Sequence, residues 1–136
     1  MRIPRILLAA PLVAAGLLLP AFTDPPDTPA EVVIGMAHEG FVMPGASEDS
    51  VNVGDVPVIT INTGETLTFQ NNSRWIHILG PGRHGLLASP GSGGMTPRHM
   101  LEENETYTTA PWNNPGTYPI TCPVHPDMNA EVVVLP

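Results

Sequence analysis

Thr117 to Met128 reads TYPITCPVHPDM, and both halves of it are informative. The first half alternates. Successive side chains of a strand point to opposite faces, so Tyr118, Ile120 and Cys122 share one side. With Tyr118 and Ile120 turned to a core, the thiol of Cys122 turns inward with them. The second half spaces Cys122, His125 and Met128 three residues apart along a short loop. Thiolate, imidazole and thioether all bind metals, and the thioether selects a soft ion such as copper over zinc or magnesium. A copper site that cycles between two oxidation states takes one thiolate, two imidazoles and a weak axial thioether. The loop has three of those four. The fourth must be a histidine brought in by the fold, and His77, inside the apolar run Trp75 to Leu79, is the best placed. Pro123 and Pro126 sit beside Cys122 and His125, fix the local backbone and remove two amide donors. Fewer donors near the sulfur and a dry setting favour the reduced ion.

Working outward, the chain is a series of short extended segments punctuated by turn residues. Glu31 to Gly35 is the first strand candidate, and Gly40 to Gly54 is turn-rich loop with possible strand pieces. Val56 to Asn62, Thr63-Gly64 and Glu65 to Gln70 make the clearest hairpin, with Leu67 and Phe69 on the buried side of its second arm. Arg74 to Leu79 is apolar on both faces apart from His77, as in a strand covered on both sides. Gly80 to Arg98 breaks the pattern and reads as a long surface excursion. Glu105 to Ala110 resumes strand character, Asn113 to Gly116 turns, Thr117 to Cys122 leads into the loop, and Ala130 to Leu135 closes the chain. No segment carries an apolar period of 3.6, and turn signals recur at short spacing, so the fold class is all-β, a sandwich or barrel.

The 136 residues divide in three: a leader at 1–23, a proline-rich lead-in at 24–30 and a single domain at 31–136. The leader has Arg2 and Arg5 before an apolar stretch from Ile6 to Leu19, and small residues at Ala21 and Thr23 place a signal-peptidase cut after Thr23. Retention of the leader as an anchor is the alternative. Its removal takes the formal charge from −8 to about −10 and leaves Arg74, Arg83 and Arg98 against thirteen acidic residues, with no lysine. Such a balance argues against nucleic acid or an acidic membrane as partner and suits a basic protein steered by charge. A solvated acidic surface reads equally well. The lone cysteine has no disulfide partner, and in an oxidising compartment metal ligation would protect it.

GTYPITCPVHPDM followed by a β-branched strand resembles the ligand loop of the small blue copper proteins, the cupredoxins. The short Cys-His-Met spacing is most similar to the amicyanin, plastocyanin and pseudoazurin group. Upstream, VITINTGETLTFQNNSRWIH looks like the strand, glycine-acid turn and first-histidine segment of the same family. The resemblance covers roughly Val56 to Pro136 and implies a Greek-key β-sandwich or barrel of seven to eight strands. It implies one type 1 copper ion held by His77, Cys122, His125 and Met128, with electrons passing through an exposed His125. Relatives often have proline before the first histidine and, after it, an asparagine that ties the ligand loops together. Here those places hold Ile76 and Ile78.

The resulting expectation is a one-electron carrier, exported to the periplasm or outside the cell, monomeric, not an enzyme, and exchanging electrons with redox proteins. One alternative is a copper-handling chaperone or resistance factor. It would use Met36, His38 and Met43 with His84, Met95, His99 and Met100, which could hold a second ion but read as readily as packing and surface residues. Another is a copper protein with an open position for a small molecule, which an axial Met128 disfavours.

Overall fold

The computed structural model describes residues 31–88 and 93–136. The expected leader, its cut after Thr23 and the lead-in at 24–30 lie outside the described residues. Among the described residues ten strands pack as two sheets. The first sheet runs β2 (Phe41–Val42), β1 (Val32–Met36), β4 (Leu67–Asn71), β8 (Thr106–Thr108). The second runs β3 (Val58–Asn62), β10 (His125–Leu135), β9 (Gly116–Cys122), β5 (His77–Arg83), β6 (Leu86–Leu87), with β7 (His99–Leu101) also paired to β5. The all-β expectation holds. The count exceeds seven or eight because β2, β6 and β7 are pieces of two or three residues that carry too little sequence to show a period. Among the described residues the one helical element is a single 3-10 turn at Glu48–Ser50, and no helix is long and apolar enough to cross a membrane.

The core is built by alternation. Ile34 and Met36 of β1 and Leu67 and Phe69 of β4 belong to one buried cluster with Ile59 and Ile61 of β3, Ile120 and Cys122 of β9, and Met128, Val132 and Val134 of β10. Cys122 is fully buried, as its register with Tyr118 and Ile120 requires.

The hairpin expected from Val56 to Gln70 is a correction. β3 pairs in parallel with β10, whereas β4 pairs in parallel with β1 and antiparallel with β8. The turn between them therefore crosses from one sheet to the other. Its backbone is tied to Trp112, with Gly64 N–H donating to the Trp112 carbonyl (2.9 Å) and Trp112 N–H to the Glu65 carbonyl (2.9 Å). Alternation shows that one face of each arm is buried but not which sheet it joins, so adjacency in sequence misleads here. Trp112 itself is fully buried on the link from β8 to β9, and its indole N–H donates to Thr109 Oγ1 at 2.9 Å.

Two further boundaries move. Trp75 and Ile76 are exposed and precede the strand, which starts at His77 and runs through Gly80-Pro81-Gly82 to Arg83. These three residues read as a break, yet they are buried, and Pro81 lies opposite Ile120. Gly80 is needed because a Cβ there would meet the Pro97 carbonyl oxygen at 2.5 Å. His125 is the first residue of β10 and pairs with Cys122; it is not part of a free loop. A register shift between His125 and Asn129 makes room for the residues between them.

Candidate metal centre

Cys122 ends β9, His125 starts β10 and His77 starts β5, so the ends of three neighbouring strands converge at one end of the second sheet. Their donor atoms all lie within 4.8 Å of one another. The sulfur of Cys122 is 3.6 Å from His125 Nδ1 and 4.0 Å from His77 Nδ1. Ligands bound at about 2.0–2.3 Å in a trigonal plane would stand about 3.7 Å apart, close to both sulfur–nitrogen distances. The remaining contact of the sulfur is the Ile78 backbone N–H at 3.4 Å, a donor suited to thiolate charge. Met128 is fully buried in the same apolar cluster as Cys122.

The imidazoles sit in different surroundings. His77 is fully buried. Burial, and after it the neighbouring His125 and His38, lower its pKa from 6.5 to about 4, so that it is neutral at pH 7. His125 is half-buried, and its pKa is also lowered, chiefly by burial and next by His38, against the raising effect of Glu39. Both rings therefore keep a lone pair for a metal.

His125 is less open than the sequence suggested. The ring of His38 meets it edge-on with centroids 5.1 Å apart, and His38 in turn stacks on Trp75 at 4.3 Å and 17°. The Arg74 guanidinium lies 5.8 Å from the Trp75 centroid. Sequence spacing gave no sign of this layer, because His38 is 87 positions from His125 and arrives through the first sheet.

Ile78 stands where relatives often have the asparagine that ties the ligand segments. The tie comes from elsewhere. Beyond β5, His84 N–H donates to Asn129 Oδ1 (2.7 Å) and Gly85 N–H to Thr121 Oγ1 (2.8 Å), while Asn129 Nδ2 holds the Pro126 carbonyl (2.8 Å). Thr121 Oγ1 also donates to the Met128 carbonyl at 3.3 Å. The other sulfur and imidazole residues disperse. Met36 and Met95 are core, Met43 packs against the core, Met100 is exposed, and His99 stacks on Tyr107 at 3.9 Å. Among the described residues the one group of three or more histidine, cysteine or acidic side chains placed to hold a metal is that of His77, Cys122 and His125.

No protein-family profile and no curated protein sequence matches the chain. Solved structures do. Amicyanin from Paracoccus versutus is 23% identical with a TM-score of 0.53, over 79% of this chain and 85% of that one. A reduced Cu(I) form of an amicyanin variant is 19% identical with a TM-score of 0.53, over 79% and 84%. A second reduced amicyanin variant gives 19%, 0.52, 76% and 81%. At this identity the likeness is one of fold. The two sheets, their strand-end cluster of two imidazoles and a thiol, and this likeness together show that the chain has the cupredoxin fold.

Proposed function

We propose that the chain is an exported type 1 copper protein that carries one electron at a time between redox proteins. The observation that carries this reading is the convergence of His77 and His125 on the buried thiol of Cys122, with donors within 4.8 Å, in a cupredoxin sandwich. Solved amicyanin includes a Cu(I) form, which supports copper as the ion. Copper would supply the one-electron couple. Cys122 would give the thiolate, its charge met by the Ile78 amide, and His77 and His125 the neutral nitrogens. Met128 would give the weak axial sulfur.

Strand ends tied to one another would hold these donors in one arrangement for both oxidation states, which keeps reorganisation small. Electrons would pass through His125 and the His38 and Trp75 rings outside it. The acidic surface suits redox partners with a basic docking face. Removal of the leader after Thr23 would release a monomeric protein to the periplasm or cell exterior. Copper handling draws little support from Met100, which is exposed away from the core that holds Met36 and Met95.

The test is the chain from Asp24 onward, loaded with Cu(II) and followed by visible absorption and electron spin resonance beside Cys122→Ala. An intense thiolate-to-copper band that the variant lacks is the expected result. A colourless protein that takes only Cu(I), with Cys122 dispensable, would overturn the carrier reading in favour of copper handling.

A further inference from the structure

We propose that Asn71 and Ser73 form a hydrogen-bond relay that locks the tautomer of His77, leaving Nδ1 free to bind a metal. The inference rests on the reading of His77 as a ligand, and it identifies two positioning residues.

The direction of every bond in the relay is fixed from its outer end. Asn71 is fully buried at the end of β4. One end of its amide faces three backbone carbonyls, those of Trp75 (2.7 Å), Glu102 (3.0 Å) and Leu101 (3.2 Å). Only the NH2 group can face carbonyls, so Oδ1 must point the other way. There it accepts from the Ser73 backbone N–H (3.0 Å) and from the Ser73 hydroxyl (2.8 Å). A hydroxyl has one proton, and this bond uses it.

With its proton on Asn71 rather than on the more distant Trp75 carbonyl (3.4 Å), Ser73 Oγ is an acceptor toward its other two neighbours, the Trp75 N–H at 3.2 Å and His77 Nε2 at 3.0 Å. For that second contact to be a hydrogen bond, Nε2 must carry the proton. The neutral ring then has its lone pair on Nδ1, the atom that faces Cys122. A ring with the proton on Nδ1 would set two lone pairs against each other at Ser73 and a proton toward the thiol pocket. The carbonyls of Leu101 and Glu102 belong to β7 and the turn after it, so the strand paired with the start of β5 helps to aim His77.

The experiment uses metal-free protein with uniform 15N labelling at pH 7 and reads the His77 tautomer from long-range proton–nitrogen correlations. Wild type should show Nε2–H as the dominant form. A wild-type His77 found mainly as Nδ1–H overturns the proposal without recourse to any variant. In Ser73→Ala the Nδ1–H form should rise roughly fivefold, as expected for loss of one net hydrogen bond, and Ser73→Thr should restore the wild-type ratio. An unchanged ratio in Ser73→Ala likewise overturns it. Cu(II) affinity should fall about 10–100-fold in Ser73→Ala, the usual effect of removing the partner of a ligating imidazole, and recover in Ser73→Thr. Should wild type take up no copper while the tautomer responds as described, the relay stands and the copper reading fails.

Discussion

Acidification should weaken the metal-free fold through His77 in particular. In the folded chain this imidazole is buried, and its pKa is lowered to about 4 from the 6.5 of an exposed ring. The groups facing it are His125 and His38, which add to the lowering, and the thiol of Cys122. Between these two values the unfolded chain binds a proton that the folded chain does not. Stability therefore rises with pH across the window. It is fully present above about pH 6.5 and is lost as pH falls toward 4.

At about 1.36 kcal/mol per unit, the full shift sets a ceiling of about 3 kcal/mol. Water reaches the site beside half-buried His125, and this screening brings the expected loss to about 2 kcal/mol. The assay is urea denaturation of metal-free protein at pH 7.5 and pH 4.5, for wild type and for His77→Gln, which has nothing to titrate at that position. Carboxylates contribute equally to both proteins, so the difference between their pH responses isolates His77. Wild type should lose about 2 kcal/mol more than the variant. Equal losses would refute the claim that the ring is held neutral in the fold.

Gly93 has φ +64, and a Cβ there would meet the Trp112 ring at 2.0 Å, so Gly93→Ala should cost roughly 2–3 kcal/mol, read as a lower urea midpoint at unchanged slope. Thr121→Val removes the acceptor of the Gly85 amide and should cost about 1–3 kcal/mol in thermal or chemical unfolding. Met128→Leu keeps volume and apolarity, and should change metal-free stability by less than about 1.5 kcal/mol. In the copper-loaded protein the same substitution should shift the thiolate-to-copper absorption; an unshifted spectrum would exclude Met128 as a ligand. His125→Ala should abolish that band and leave the metal-free fold close to wild type, because the ring is half-buried at a strand end.

Much of the centre was legible in one short stretch. The alternation of Tyr118, Ile120 and Cys122 placed the thiol inward, and the close spacing to His125 and Met128 supplied candidate donors. Both are local properties, fixed by the geometry of an extended chain. His77 could be nominated because it was the one polar interruption of an apolar run, although its approach to Cys122 across 45 positions is set by the pairing of β5 with β9.

What the sequence did not determine depends on contacts between distant segments. Val58–Asn62 and Leu67–Asn71 each alternate, yet alternation is satisfied equally in either sheet, and the backbone bonds to Trp112 send them apart. The cover of His38 and Trp75 over His125 has no spacing to betray it. Neither has the aim of Asn71 through Ser73 onto His77, which depends on the carbonyls of Trp75, Leu101 and Glu102 meeting at a buried amide. A sequence lists hydrogen-bonding groups without their directions. Donor and acceptor roles at Ser73, and with them the free nitrogen of His77, are decided once folding buries these groups together and each must find a partner.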